Sequence, residues 1–218
     1  MQMAQQYLSK GVETIGLQDC LVFGGTFLKH YCSDAAKPDP STLSLVSIGS
    51  GCGAFESLLR ESCGVKILGV DPAPLSWDFA QDLDAPFVEP TCATVADLGD
   101  LRPDQCLLLF NWCAPNDSTY DAEALALLKP DAFLVVYEIY EGRNGAAGSE
   151  SFFEAIHGPG SAYRLVGQIQ GVGSEYGPMG PVTLDMRMQW WELKDAERPG
   201  RYDSPELQDV GDQGCVLS

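Results

Sequence analysis

A glycine-rich turn, Val46-Ser-Ile-Gly-Ser-Gly-Cys-Gly53, lies between two apolar segments of different periodicity and constrains the fold more than any other feature of the sequence. The residues before it, Leu43–Ile48, have the composition of a buried strand. The residues after it, Ala54–Cys63, carry apolar side chains at helical spacing and precede Gly64, a residue typical of helix ends. A second apolar segment, Val65–Val70, predicts another strand. Strand, turn, helix and strand in this order predict a βαβ unit with a parallel sheet.

Two further apolar runs, Cys106–Phe110 and Phe133–Ile139, have the composition of central parallel strands. Between them the pattern predicts a helix that opens at Ser118-x-x-Asp121 and ends at Lys129-Pro130. A shorter helix is predicted downstream, with Ser151-x-x-Glu154 as its capping box. These elements extend the parallel sheet and place helices between its strands.

The last predicted strand, Val182–Leu193, alternates apolar and polar residues, which is typical of a half-exposed antiparallel strand. A strand is also predicted over Tyr163–Ile169. The segment between them, Gly171–Pro181, is rich in glycine and proline and is therefore interpreted as a loop. The fold class expected from the whole pattern is α/β, with a mostly parallel sheet and an antiparallel last strand.

The 218 residues divide into three segments and have room for one domain of ordinary size. Residues 2–30 carry apolar side chains at helical spacing and are followed by Lys37-Pro-Asp-Pro40, so residues 1–40 are predicted to form an N-terminal helical cap and a linker. Residues 41–194 contain all the predicted strands. Residues 195–218 are polar and acidic, and we expect them to form a disordered tail.

The charge of the chain excludes several classes of partner. It has 31 acidic and 13 basic residues, a formal net charge of -18, and no cluster of lysine and arginine. Such a surface repels phosphates, so nucleic acid is not expected as a partner. His30 and His157 are isolated in the sequence and the eight cysteines form no C-x-x-C pair, so no metal site is expected.

The sequence also bears on the compartment. No stretch of about 18 apolar residues is present, so no transmembrane segment is expected. Met1–Lys10 lacks the basic and apolar segments of a signal peptide, and the cysteines are interpreted as core residues in a reducing compartment. We therefore expect a cytoplasmic protein.

The glycine turn and an acidic residue downstream predict a nucleoside site. Glycines allow a sharp turn and let a ligand approach the backbone and the N-terminus of the following helix. Asp71 ends the next strand, where a carboxylate can accept hydrogen bonds from both hydroxyls of a ribose. Gly49-x-Gly51-x-x-Ala54 also satisfies the fingerprint of dinucleotide-binding folds, so the turn alone leaves the nucleoside open.

Together with the helical segment ahead of the turn and the antiparallel last strand, these motifs resemble those of the class I S-adenosylmethionine-dependent methyltransferases. The resemblance covers residues 43–193. It implies a Rossmann-like three-layer sandwich whose sheet has seven strands, the last of them antiparallel at the sheet edge. It also implies that S-adenosylmethionine is the cofactor, bound by residues of the turn and of the neighbouring strand ends: Gly49, Ser50, Gly51, Gly53, Asp71, Asp97 and Asn111.

Several positions in this region have more than one interpretation. Asp97 follows the third strand, where the family often has an acid that contacts adenine, and helix capping is the alternative. Asn111 is expected to contact the cofactor or to orient a substrate donor. Ser47 departs from the family, which often has an acid two residues before the first glycine. Glu138 and Glu141 are candidates for a general base, and ordinary exposed acids are the preferred interpretation.

The expected function is methyl transfer from S-adenosylmethionine to a small molecule or a protein side chain. One alternative is a methyltransferase-like binding or scaffold protein without catalysis, for which Ser47 and the missing catalytic motif are the evidence. A nicotinamide-dependent reductase is a further alternative, disfavoured because no Tyr-x-x-x-Lys pair and no acceptor domain are present. The sequence leaves the acceptor and the oligomeric state open.

The last four residues, Cys215-Val-Leu-Ser218, match the C-a-a-X prenylation pattern, and chance occurrence is the alternative. Prenylation is expected only in a eukaryotic host or a virus of one. Because the tail has no polybasic run and no second cysteine, a prenyl group on Cys215 is expected to give only weak membrane association.

Truncation after Lys194 should leave stability almost unchanged, because residues 195–218 have neither the periodicity nor the apolar surface needed to pack on a domain. The measurement is the melting temperature of the full chain and of the truncated chain under the same conditions. A loss of many degrees would show that the tail packs on the rest of the protein.

Overall fold

Seven strands and four α-helices make up the described part of the computed structural model, which covers residues 17–32, 44–73, 83–98, 106–111, 113, 119–140, 148–177 and 180–194. The strands are β1 (Ser44–Ile48), β2 (Lys66–Val70), β3 (Pro90–Cys92), β4 (Cys106–Asn111), β5 (Ala132–Tyr140), β6 (Tyr163–Gly177) and β7 (Gly180–Leu193). The helices are α1 (Leu17–Cys32), α2 (Ala54–Cys63), α3 (Tyr120–Leu128) and α4 (Glu150–His157), and a 3-10 helix spans Val95–Leu98.

Helices cover both faces of a single sheet, whose strand order is β3-β2-β1-β4-β5-β7-β6. On one face, Phe27 of α1 and Phe55 of α2 belong to a buried apolar cluster with side chains of β1, β4, β5 and β7. On the other face, Leu125 of α3 and Phe152 of α4 belong to a second cluster. Burial of both faces explains why the central strands are apolar throughout. The predicted three-layer α/β sandwich with a mostly parallel sheet is confirmed.

Strand β7 is antiparallel to both of its neighbours, as expected, but it is not a half-exposed edge strand. It lies between β5 and β6, and both of its faces are buried at its C-terminal end, where Met188 and Trp190 alternate with Gln189 and Trp191. Gln189 is compatible with burial because its amide bonds to Gln168 and to the Trp191 indole. The alternation therefore predicted the antiparallel direction correctly and the half-exposure of this end wrongly, and the edge position that the resemblance implied is also wrong.

The segment Gly171–Pro181, predicted as a loop, instead continues β6 and β7 as a long antiparallel hairpin. The two strands pair residue by residue from Gly171 with Met186 to Gly177 with Gly180. The ladder uses backbone groups, which glycine provides as well as any residue. Pro181 lies beyond the last pair of β5 and β7, Tyr140 with Leu184, so its missing N–H leaves no gap in that ladder.

The helix boundaries agree with prediction for α2 and differ for α4. Helix α2 ends before Gly64, whose φ of 68° is left-handed, as expected. The residue that caps α4 is Ser149 rather than Ser151, because the Ser149 Oγ accepts the Phe152 N–H at 3.1 Å. Asp121 of α3 is buried and accepts hydrogen bonds from the Ser149 N–H at 2.7 Å and the Ser149 hydroxyl at 2.6 Å. Ser149 therefore joins α3 to the start of α4.

Helix α1 packs into the core through a polar contact with the last strand as well as through apolar side chains. The Tyr31 hydroxyl donates to Glu192 of β7 and accepts from the Trp190 indole N–H. Arg164 of β6 forms an ion pair with Glu192 at 3.1 Å. Residues 1–16 and 33–43 lie outside the described part, so the extent of the predicted cap and linker stays a prediction.

The tail and Cys215 also lie outside the described residues. Among the helices that the structure describes, none combines the length and the apolar character that crossing a membrane requires.

Ser149→Ala should lower the free energy of unfolding by about 1–2 kcal/mol, because it removes the cap of α4 and one donor to the buried Asp121. Ser151→Ala, at the exposed position predicted from sequence, should change it by less than about 0.5 kcal/mol. Urea unfolding of both variants measures the difference. Equal losses would contradict the assignment of the cap to Ser149.

Candidate functional site

The parallel register brings three strand ends to the same height at the carboxyl edge of the sheet. Ile48, the last residue of β1, pairs with Val70 of β2 on one side and with Phe110 of β4 on the other. Open α/β sheets bind ligands at this edge, where the order of the strands reverses. The reversal occurs here at β1, and the residues that follow the three pairing positions are Gly49, Asp71 and Asn111.

Asp71 is bonded directly to the glycine turn. The Gly51 N–H donates to Asp71 Oδ2 at 2.8 Å, and the Ala73 N–H donates to Asp71 Oδ1 at 2.8 Å. Each carboxylate oxygen can accept a further hydrogen bond, because each has two lone pairs. Gly51 and Asp71, predicted to share a site, therefore lie side by side, and the carboxylate retains acceptor sites for two hydroxyls.

The glycines of the turn differ in what surrounds them. A Cβ added to Gly53 would lie 2.6 Å from the Cβ of Val88, and one added to Gly49 would lie 2.9 Å from the Tyr120 hydroxyl. A Cβ added to Gly51 would meet no described atom within 4 Å, although φ there is +52°. Packing thus requires Gly49 and Gly53, whereas no described atom closes the space beside Gly51.

Ser50 and Asp97 occupy different environments at this edge. Ser50 is buried, and its hydroxyl has no hydrogen-bond partner among the described residues. Asp97 is exposed on the 3-10 helix that follows β3, and its carboxylate accepts from the Thr94 hydroxyl at 2.7 Å. Since β3 is the neighbour of β2, Asp97 stands on the same edge of the sheet as Asp71.

Asn111 leads to a residue that the sequence interpretation missed. Its side-chain amide donates to Glu56 Oε1 at 2.9 Å, and the Ser47 hydroxyl donates to the same oxygen at 2.5 Å. Glu56 lies in the first turn of α2 and is wholly buried. Ser47 lies in an apolar strand, and a buried hydroxyl normally has a hydrogen-bond partner. This was the one feature of the sequence that indicated a polar residue nearby.

Burial raises the pKa of Glu56, and the nearby charge of Asp71 adds to the effect. The hydrogen bonds from Ser47 and Asn111 act in the opposite direction, because they stabilise the carboxylate. The second oxygen, Oε2, is buried without a hydrogen-bond partner among the described residues. The backbone N–H of Glu56 also stabilises the carboxylate, so among the described residues the side-chain donors are confined to Oε1.

Other candidate groups do not form a catalytic set among the residues described. No group of three histidine, cysteine or acidic residues there could hold a metal ion. Cys113, buried next to the turn, donates to the Ile48 carbonyl, and burial raises the pKa of its thiol well above the usual value, so it is protonated at neutral pH. Glu141 and the side chain of Glu138 lie outside the described part, and their role as a base stays a prediction.

The residues present fit an adenosine-type cofactor. Gly51 leaves space at the turn, Asp71 retains acceptor sites, and two buried oxygens, Ser50 Oγ and Glu56 Oε2, have polar capacity that no described residue uses. Buried polar atoms without partners are rare in folded proteins, so each of these two oxygens calls for a partner such as a bound ligand or a water. The arrangement offers acceptors that suit the hydroxyls of a ribose and buried oxygens that suit a second polar group.

Gly53→Ala should lower the free energy of unfolding by about 2–5 kcal/mol, because its Cβ would overlap Val88 and φ is left-handed. Gly51→Ala should cost only about 1–2 kcal/mol, since the backbone conformation alone opposes it. Urea unfolding measures both losses. A loss for Gly51→Ala as large as that for Gly53→Ala would show that Gly51 is also required for packing.

No protein-family model and no curated protein match the sequence. Solved structures do, among them a methyltransferase from Anabaena variabilis with 11% identity, covering 87% of this chain and 93% of that chain with a TM-score of 0.47. A second is an O-methyltransferase of tomaymycin synthesis from Streptomyces achromogenes, solved with S-adenosylmethionine, with 13% identity, 89% coverage of both chains and a TM-score of 0.47. A third is a geranyl diphosphate methyltransferase with 12% identity. The match covers 78% of this chain and 77% of that chain, with a TM-score of 0.49.

All three similarities are distant, with TM-scores below 0.5, so the architecture of this chain rests on its own strand order. The order and directions of the seven strands in this chain agree with the predicted Rossmann-like sandwich, except that β7 lies inside the sheet. The fold that the resemblance implies is therefore confirmed by the strand order itself.

Proposed function

We propose that this protein binds S-adenosylmethionine at the turn of β1 and transfers its methyl group to a small molecule or a protein side chain. The hydrogen bond from Gly51 to Asp71, beside the open position at Gly51, is the observation that carries the proposal. It supports the proposal because a carboxylate that suits ribose hydroxyls lies beside the backbone of the glycine turn.

Asp71 is the ribose-binding residue of the proposed site. Its two oxygens each accept one backbone N–H, which fixes the plane of the carboxylate. The remaining lone pairs then suit a pair of vicinal hydroxyls, as in a ribose. Asp97, one strand further along the same edge, is proposed as a contact for the base.

The insertion of β7 favours this cofactor over a nicotinamide dinucleotide. Dinucleotide-binding domains have six parallel strands in the order 3-2-1-4-5-6. Here an antiparallel strand separates β5 from β6. The half of the sheet beyond β4 thus departs from the arrangement that holds the second nucleotide, whereas the half around β1 keeps the arrangement for one nucleoside.

When bound, S-adenosylmethionine supplies a methyl group on a positively charged sulfur, which a nucleophile of the acceptor can attack. The residues of this chain would bind and orient the cofactor at the end of β1. Positioning accounts for much of the acceleration of such a two-molecule step. A basic side chain is not required when the acceptor is already a good nucleophile.

Asp71→Asn should weaken binding of S-adenosylhomocysteine by about tenfold, because the amide loses the charge-assisted acceptance of one ribose hydroxyl. Asn has the same shape as Asp and keeps one oxygen that can accept the Gly51 N–H. The melting temperature of the variant should therefore differ little from that of wild type. Isothermal titration measures the dissociation constant. Asp19→Asn, an exposed change of equal charge on α1, is the matched control and should bind as wild type.

Equal affinity of wild type and Asp71→Asn would remove Asp71 from the ribose site. Binding of NADH and not of S-adenosylhomocysteine would contradict the cofactor assignment. Cofactor binding without turnover on a panel of metabolites and proteins would favour the scaffold alternative.

A further inference from the structure

Glu56 is a buried carboxylate whose hydrogen bonding is incomplete. The Ser47 hydroxyl and the Asn111 amide both bond to Oε1, and the backbone N–H of Glu56 itself also stabilises the carboxylate. Oε2 is equally buried and has no hydrogen-bond partner among the described residues. Glutamate is among the side chains that proteins bury least, and those that are buried are paired. The structure gives this carboxylate no positively charged partner in the residues it describes.

An ionised carboxylate in this position destabilises the protein that carries it. Its removal from water is costly, and the charge of Asp71, the acidic group that acts on it from the end of β2, adds repulsion. A positive charge placed at Oε2 would reverse both effects, because it would pair with the carboxylate in a site that excludes water.

The position of Glu56 relates it to the proposed cofactor site. Ser47 lies two residues before Gly49, Asn111 ends the adjacent strand β4, and Glu56 lies three residues after Gly53. The carboxylate is therefore held between the ends of β1 and β4. Asp71 is close enough to act on it electrostatically and is itself bonded to Gly51 of the turn, so Glu56 and the proposed ribose-binding residue lie at the same edge of the sheet.

We propose that Glu56 binds the ammonium group of the cofactor's amino acid end, and that Ser47 and Asn111 are positioning residues that hold one oxygen so that the other accepts from the ligand. This inference rests on the proposed function. The negative charge of the binding site would then come from Glu56 in helix α2, because Ser47 in β1 carries no charge. Glu56 would then select ligands that carry a cationic group at this end.

The test compares two ligands with two proteins. S-adenosylhomocysteine carries the ammonium group, and its deamino analogue has hydrogen in its place. Wild type should bind S-adenosylhomocysteine at least about tenfold more tightly than the analogue, the difference expected of one charged hydrogen bond. Glu56→Gln should lose most of that preference, because its affinity for the first ligand falls and its affinity for the analogue does not. Isothermal titration gives all four dissociation constants.

The control variant is Glu150→Gln, which removes an exposed acid from the first turn of α4 and should keep the wild-type preference. Equal losses for both ligands in Glu56→Gln would overturn the inference, since they would indicate a structural role. A wild type that does not distinguish the ligands would also overturn it, even if the variant fails to fold. Failure of wild type to bind S-adenosylhomocysteine at all would instead contradict the proposed function.

The stability of the protein without ligand is an independent measurement. The pKa of Glu56 is raised in the folded state, so protonation of Glu56 favours the folded wild-type protein. The free energy of unfolding of wild type therefore falls as the pH rises from about 4.5 through the folded-state pKa. Glu56→Gln resembles the protonated form and does not titrate there. Its melting temperature should therefore equal that of wild type at low pH and exceed it at neutral pH. A variant less stable than wild type at neutral pH would show that the carboxylate has its cation within the protein.

Discussion

The site depends on the unshifted parallel pairing of β1 with both of its neighbours. Ile48 faces Val70 and Phe110, so the chain leaves all three strands at one level. A slip of one residue in either pairing would turn the strand's side chains to the opposite face. The buried side chains of β1 on both faces oppose such a slip. Packing of the core therefore fixes the positions of residues that have no part in the core.

Glu56 connects these strand ends to helix α2. Through Ser47 and Asn111 the carboxylate joins α2 to the ends of β1 and β4. An apolar residue of similar size would satisfy the packing of α2 without removing a charge from water. Stability and ligand recognition thus place opposite demands on one side chain, a conflict that is frequent at functional sites.

The elements around the turn were predicted correctly from local sequence patterns. The features that were missed depend on contacts between residues far apart in the chain. The bounds of α2 and its end at Gly64 depend on periodicity and on a glycine in a left-handed conformation, both visible in adjacent residues. Asp71 was predicted because it follows a strand directly. Glu56 was missed because its partner Asn111 is 55 residues away in the chain. In the amphipathic pattern of α2 it looked like a solvated side chain.

The other errors have the same origin. The Gly171–Pro181 segment lacks the composition of a strand, and its regular structure comes from pairing with the rest of a hairpin. Ser149 caps α4 although Ser151 fits the capping pattern, because Asp121 of a different helix holds Ser149 in place. In each case a contact between segments overrode a local preference.

The contact of Tyr31 with Glu192 has a consequence for synthesis of the chain. The two residues are 161 positions apart, so the ribosome makes α1 well before it makes β7. At rates of roughly 5–20 residues per second, the buried face of α1 waits about 8–32 seconds for its final partners. During this interval Phe27 and Leu28 lack the Trp190 side chain that covers them in the folded protein. The nascent chain thus carries an unfinished core, and this is the period in which a chaperone or a second nascent chain would find an apolar helix to bind.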